Sequence, residues 1–119
     1  MSALCETART VRGRLIRLAV QRQGRDRLVT IAGGDAPHVG CAALAADGQT
    51  RRLDRAGHRE GEIAASLAGR ASARLDCAVC VVCGIHFDAI TREEIAAVLA
   101  AVEDMADAWL DMEAGTSPA

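Results

Sequence analysis

The sequence predicts an α+β domain, a mostly antiparallel sheet with two helices on one face, in the order β-β-β-β-α-β-α. The first half of the chain contains short segments in which apolar and polar residues alternate, as they do in half-buried strands. These segments span 10–21, 27–32, 39–46 and 49–53. The second half contains two stretches of helical periodicity, at 60–75 and from 92 onward, with an apolar run between them.

Turn residues separate the predicted strands. Gln23-Gly24-Arg25-Asp26 and Asp47-Gly48 are typical of tight turns, so the strands on either side of each should pair as hairpins. Between the hairpins, Gly33-Gly34-Asp35-Ala36-Pro37 interrupts the pattern. A glycine pair followed by a proline predicts a shaped loop where a ligand could approach the backbone closely.

The apolar run at 78–83 is typical of a strand covered on both faces, and it should end at Gly84. Thr91 and Glu94 form a capping box at the start of the second helix. His86 and Asp88 lie between strand and helix. Residues two apart in an extended segment project to the same side, so this imidazole and carboxylate should point to one place.

Length and composition limit the classes of protein to which this chain can belong. At 119 residues the chain should be one domain over 1–119, with its core at about 10–112, flexible termini and a loose lead-in at 1–9. One Phe, one Trp and no Tyr argue against a base-stacking nucleic-acid surface. No signal peptide or membrane-span pattern is present, and five cysteines, an odd number, fit a reducing compartment. We therefore expect a cytoplasmic protein that binds neither nucleic acid nor membrane.

Charge is distributed unevenly along the chain. Residues 1–75 contain 13 arginines and seven acids, whereas residues 76–119 contain one arginine and nine acids. We interpret this as two solvated faces that complement each other between subunits. The alternative is an anion site, because the arginine fork suits phosphate.

The three histidines lie beside glycines at predicted element boundaries. They are His38, His58 and His86, and two of them are followed two residues later by an acid, Glu60 or Asp88. Imidazole and carboxylate are ligands of zinc, manganese or iron. The spacing is not a regular metal signature, so three separate loop histidines are an equally weighted alternative.

The cysteines at 77, 80 and 83 have the spacing of a metal cluster but not its geometry. In a strand, Cys80 points away from Cys77 and Cys83, so the three thiolates could not meet at one ion. We predict that they pack in the core as small apolar side chains.

Three phrases together resemble the LpdD-like family, small accessory proteins of UbiD-type decarboxylases described as prenylated-flavin chaperones. The phrases are GGDAPHVG at 33–40, GHRE at 57–60 and GIHFDAIT at 84–91. The similarity covers residues from about 10 to 112.

The resemblance implies a set of site residues. Those for the cofactor are Gly33, Gly34, Pro37, His38, Arg59 and Gly84. Those for a divalent metal are His38, His58, Glu60, His86 and Asp88, or a subset of them.

The resemblance also implies a function: binding of prenylated FMN with a divalent metal, and its protection, maturation or delivery to a UbiD-type decarboxylase. A flavin prenyltransferase is a second expected partner, and a homo-oligomer is expected. Stand-alone catalysis is left open. The main alternative is a small metal-dependent enzyme acting on a cytosolic metabolite, with an imidazole or Glu60 as general base. A third is a purely structural oligomeric subunit.

Overall fold

The computed structural model describes residues 4–58 and 60–115, which form six strands and two helices. The strands are β1 (Cys5–Val11), β2 (Arg14–Gln23), β3 (Asp26–Gly34), β4 (Cys41–Ala46), β5 (Gln49–Asp54) and β6 (Val79–His86). The helices are α1 (Gly61–Leu75) and α2 (Arg92–Ala114). The predicted α+β class is confirmed.

The strands form one sheet in the order β1-β2-β3-β6-β4-β5. All neighbouring pairs are antiparallel except β3 and β6, which are parallel. The sheet is therefore mostly antiparallel, as predicted. Both predicted hairpins are present, as β2–β3 and β4–β5.

Alternate residues of the central strands are buried beneath the two helices, which pack on the same face of the sheet. The buried strand residues are Ile16, Leu18, Val20, Val29, Ile31, Cys41, Ala43, Ala45, Val79, Val81 and Cys83. On the helix side, Trp109 and Met105 of α2 are fully buried. Short aliphatic side chains thus fill a core that contains few aromatic rings.

The prediction of a loose lead-in was wrong for residues 5–9, whereas residues 1–3 lie outside the described part of the chain. Residues 5–9 belong to β1, and the predicted strand at 10–21 is divided by a turn at Arg12 and Gly13. Both residues have positive φ, 53° and 75°, as a tight hairpin turn requires. Arginine is not a usual residue for the first of these positions, so no turn was predicted there.

Strand β6 also differs from the prediction. It continues past Gly84 to His86, and only one of its faces is covered by the described residues. Cys80 and Val82 point to the opposite, open face of the sheet and are half-buried. The apolar character of both faces of this strand is therefore not explained within one chain.

The uneven charge of the sequence is balanced by ion pairs within one molecule. The acids of α2 pair with arginines of β1, β3 and α1. The pairs are Arg9–Asp104, Arg27–Glu113, Arg70–Glu103, Arg70–Asp107 and Arg74–Asp111. Most of them are exposed, so each contributes little to stability.

The pair between Arg27 and Glu113 is the buried exception. Their side chains are only 11% and 9% exposed, and the shortest N–O distance is 2.6 Å. Trp109 Nε1 also donates to this carboxylate, at 2.5 Å. The pair anchors the end of α2 to β3, and α2 accordingly continues to Ala114, beyond the expected core limit at 112.

We expect Glu113→Gln to lower the free energy of unfolding by about 2–3 kcal/mol at neutral pH, because it leaves the Arg27 charge buried without its partner. Burial alone would raise the pKa of Glu113, but hydrogen bonds from Arg27 and Trp109 outweigh it and lower that pKa. In the unfolded chain Glu113 has the ordinary carboxyl pKa of about 4.3, and in the folded protein its pKa is lower. The ion pair therefore stabilises the protein fully above the unfolded-state pKa, and this stabilisation is lost as the pH falls through the folded-state pKa.

Urea unfolding of parent and variant between neutral and acidic pH measures this effect. The difference in stability should shrink as the pH falls. Glu103→Gln, which removes an exposed pair with Arg70, is the matched control and should cost no more than about 0.5 kcal/mol. Equal effects of the two substitutions would contradict the assignment.

The helices of the described residues include none long and apolar enough to cross a membrane.

Candidate metal and cofactor site

Three side chains converge at the end of the sheet where β6 finishes and α1 begins. His38 lies in the segment before β4, His58 lies between β5 and α1, and Glu60 is the N-cap residue of α1. His38 Nε2 is 3.0 Å from His58 Nδ1 and 3.2 Å from Glu60 Oε1. His58 Nδ1 is 3.7 Å from Glu60 Oε2. We call these three residues the His-His-Glu cluster.

Gly40 makes this convergence possible. A Cβ atom at this position would lie 2.9 Å from Glu60 Oε2 and 3.1 Å from a ring nitrogen of each histidine. The Gly40 backbone is fixed on both sides, since its N–H donates to Cys83 O and its carbonyl accepts from Arg55 N–H. Glycine thus leaves the space into which the three side chains project.

The hydrogen bonds of the cluster leave acceptor atoms of His38 and Glu60 without a hydrogen between them. His38 Nδ1 is 3.0 Å from Ala36 O, and because a carbonyl only accepts, Nδ1 must carry the hydrogen. In the neutral ring Nε2 is then an acceptor, so His58 Nδ1 donates in the 3.0 Å contact between the two rings. The 3.2 Å contact of Nε2 with Glu60 Oε1 joins two acceptors. Glu60 Oε1 receives a hydrogen bond from Ile85 N–H, but Oε2 is buried with no partner. Such a buried acceptor is costly unless a proton or a cation satisfies it.

A divalent cation fits this donor set. The one ligand atom offered by each side chain lies within 4.8 Å of the other two. For ligand bonds of about 2.0–2.1 Å, tetrahedral geometry separates ligand atoms by about 3.3 Å, close to the distances seen here. Two imidazoles and one carboxylate also leave at least one coordination position for another ligand.

The buried thiols beneath the cluster are poor candidates for ligands. Burial, and then the Glu60 charge, raise the pKa of Cys41. Burial is also the main cause of a strongly raised pKa at Cys83. Both remain protonated and pack in the core, whereas the metal-binding form of cysteine is the thiolate. Of the three cysteines predicted to pack in the core, Cys83 is buried and Cys77 and Cys80 are half-buried.

His86 and Asp88 form a separate pair. His86 Nε2 is 2.9 Å from Asp88 Oδ1, so the predicted convergence of these two side chains is confirmed. Both side chains are exposed, and they are not members of the His-His-Glu cluster. The structure therefore groups three of the five predicted metal ligands.

Asp35 organises the loops around this end of the sheet, and the sequence did not single it out for this role. Its carboxylate accepts from Arg12, Arg14 and the Asp88 N–H, while its own N–H donates to His86 O. The bond from Asp88 N–H, opposed by burial and reinforced by the two arginines, lowers the pKa of Asp35. These partners lie 21 to 53 positions away in the sequence, and no spacing rule predicts contacts over such separations.

The predicted cofactor glycines are in close contact with the protein's own backbone. A Cβ at Gly84 would collide with the His38 carbonyl oxygen, and one at Gly34 would collide with the His86 carbonyl oxygen. Gly34 also has a φ of 82°, which favours glycine. These positions therefore have a packing role whatever ligand they meet.

Gly33, Gly34 and Pro37 line a depression of about 540 Å³ on the open face of the sheet. Leu15, Ala19 and Ala32 supply apolar lining, and Glu6, Arg14, Arg17 and Thr30 supply polar groups. Its volume is in the range of small-molecule sites. Pro37 is followed directly by His38, so the depression and the cluster share one loop. Arg59, the remaining predicted cofactor residue, lies outside the described residues.

Comparisons with known proteins agree with this architecture. The family model of the prenylated flavin chaperone LpdD-like domain matches residues 10–113. No curated protein matches the chain. Among solved structures, the fold is similar to a chain in the crystal structure of a novel chaperone complex for yeast 20S proteasome assembly, with a TM-score of 0.53 and 13% identity. That match covers 93% of this chain and 98% of the other, and at this identity it shows the fold alone.

Proposed function

Because the chain belongs to the prenylated flavin chaperone LpdD-like family, we propose that it binds prenylated FMN in the cytoplasm, together with a divalent cation held by the His-His-Glu cluster. In this proposal it protects or matures the cofactor and delivers it to a UbiD-type decarboxylase. The flavin prenyltransferase is the proposed donor. The observation that supports the metal is the buried, unpartnered Glu60 Oε2 between two imidazoles.

A cation in the cluster would supply an electrophilic position for a phosphate or ring oxygen of the flavin. The protein's own residues prepare that position. The Ala36 carbonyl holds His38 with Nε2 turned inward, and Ile85 N–H holds Glu60. Hydrogen bonds to the remaining polar atom of a metal ligand fix its orientation and strengthen it as a donor.

Arg55 is the described arginine best placed to neutralise a phosphate near the cluster. Its backbone N–H donates to Gly40 O and its Nη1 donates to Val39 O, which holds the guanidinium beside the loop that carries His38. Its remaining N–H groups are suited to a phosphate oxygen. Arg52 is less available, because it pairs with Asp54 at 3.5 Å.

The flavin ring would lie on aliphatic side chains and backbone, in the depression lined by Gly33, Gly34 and Pro37. Phe87 is not a stacking surface for it, because its side chain is buried and its ring lies under Arg12. The apolar part of this lining would contact the ring, and the polar side chains at its border would contact the polar edges of the cofactor.

A second candidate function is catalysis by the same cluster. The unpartnered Glu60 oxygen is also what a general base beside a metal-bound water requires. This protein would then be a small metal-dependent enzyme acting on a cytosolic metabolite. Turnover without any decarboxylase present distinguishes it from a carrier.

Anaerobic titration with reduced prenylated FMN, with and without added divalent metal, tests the proposal. We expect saturable binding that the metal strengthens, and a changed rate of oxidation when air is admitted. The His58→Ala variant should lose the metal-dependent part, because it removes one of three ligands. Asp88→Asn, which changes an exposed carboxylate outside the cluster, is the control and should bind like the parent. Absence of binding by the parent under both conditions would refute the carrier function.

A further inference from the structure

The face of the sheet opposite the helices is not covered by any described part of the chain. Away from the strand ends, its residues on β3, β6 and β4 are uncharged and mostly apolar: Leu28, Thr30, Cys80, Val82, Ala42 and Leu44. Large apolar side chains here are exposed to solvent, including Leu44 at 53% and Leu53 at 81%. Monomeric proteins rarely leave a contiguous apolar surface of this kind open.

The charged residues of this face lie at its two edges. Glu6 and Arg17 are on β1 and β2, and Arg51 is on β5. An uncharged centre within a polar rim is the usual anatomy of a protein–protein interface. Strand β6 points to the same conclusion, because its sequence is typical of a strand covered on both faces while the chain covers only one.

We propose that a second copy of this chain covers the open face, so that the two sheets stack face to face in a homodimer. The available area suits this partner. Six strands spaced about 4.8 Å apart span about 24 Å, and six to ten residues per strand extend about 20–33 Å. The resulting face of roughly 600 Å² in projection approaches the roughly 800 Å² of accessible surface that each partner contributes to a standard interface.

The edge charges favour one arrangement of the two copies. Two stacked sheets related by a two-fold axis along the strands place β1 of one copy opposite β5 of the other. The acidic Glu6, whose contact with Arg17 of its own chain is long at 3.9 Å, would then face Arg51 of the partner subunit. An axis across the strands would instead place Arg51 near Arg51 of the partner subunit, which is unfavourable. Aligned sheets cross at about 30°, which this arrangement allows.

The dimer would also close the depression beside the cluster. That depression opens on the same face, between β1, β2, β3 and the loop at Pro37. A partner sheet about 10 Å above it would turn the depression into an enclosed chamber. This enclosing role rests on the proposed flavin-binding function, whereas the dimer itself does not.

Sedimentation velocity over a micromolar concentration series, without added flavin or metal, tests the interface. The parent should sediment as a dimer of the 12.4 kDa chain. Leu44→Asp should raise the dimer dissociation constant by about 100-fold, because it buries an unpaired charge in the interface. Leu53→Asp gives a second test at a side chain too exposed to matter for folding of one chain. Leu99→Asp, at a similarly exposed leucine of α2 (43%), is the matched control and should remain dimeric.

A monomeric parent over the whole series would overturn the proposal. The proposal would also be overturned if the Leu99→Asp variant were monomeric while the Leu44→Asp and Leu53→Asp variants remained dimeric. That result would place the interface on the helices. A dimer that does not bind prenylated FMN would refute only the proposed function, and a flavin-binding monomer would refute only the dimer.

Discussion

The Gly84→Ala variant should lose at least about 3 kcal/mol of its free energy of unfolding, or fail to fold. The added Cβ would collide with the His38 carbonyl oxygen and lie 3.1 Å from Val39 N. Both contacts are backbone atoms, which cannot move aside as the end of a flexible side chain could. Overpacking in a well-packed region costs about 1–3 kcal/mol, and more where the backbone must shift. That is a large part of the roughly 5–15 kcal/mol by which a domain is stable.

Gly48→Ala is the control for this prediction. Gly48 has a φ of 76°, but a Cβ there would meet no atom within 4 Å. Its substitution should therefore cost only the strain of a left-handed residue, about 1–2 kcal/mol. Urea unfolding of both variants compares the two costs, and a Gly84→Ala midpoint at or above that of Gly48→Ala would contradict the collision. If the Gly84→Ala variant folds with reduced stability, its metal affinity should also be lower, because the added Cβ displaces the backbone of His38.

Divalent metal binding should fall by on the order of 100-fold or more in His38→Ala, His58→Ala and Glu60→Gln. Each substitution removes one ligand from a set of three, and the remaining two cannot hold the ion in a fixed geometry. Calorimetric titration with zinc and with manganese measures the loss directly. Glu60→Gln is the most informative variant, since it keeps the side-chain volume and the acceptor for Ile85 N–H while removing the charge.

His86→Ala is the matched control for the metal titration. It removes an imidazole that lies outside the His-His-Glu cluster and pairs with the exposed Asp88. Its metal affinity should equal that of the parent. If His86→Ala lost metal affinity and His58→Ala did not, the metal site would lie at His86 and Asp88, and the His-His-Glu cluster would be refuted as the site.

The sequence predicted those parts of the fold that local patterns determine. The alternating segments, the hairpin turns and the capping box at Thr91 and Glu94 are all present in the structure. The missed strand β1 begins in a segment without clear alternation, and its turn uses Arg12 at a positive φ, for which arginine gives no signal. Within one chain β6 is covered on one face only, because a strand sequence can indicate that both faces are buried but not which part of which molecule covers each face.

The sequence predicted which residues could form the site but not which of them lie together in the folded protein. Histidines beside glycines at element boundaries were sufficient to nominate His38, His58 and His86. Only the tertiary structure separates them, since the grouping depends on how β4, β5 and α1 meet at one end of the sheet. The partnerships of Asp35 and Glu113 follow from contacts distant in sequence, which local patterns do not encode.

The position of β6 has a consequence for the order in which the protein is made. This strand lies between β3 and β4, yet it leaves the ribosome after β4, β5 and α1. Until residue 86 has been synthesised, the three N-terminal strands and the β4–β5 hairpin have no direct pairing with each other. Each group then exposes an unpaired strand edge, the kind of edge from which aggregation begins. Nascent chains that stall before β6 should therefore depend on general folding factors, although the protein itself belongs to a family of chaperones.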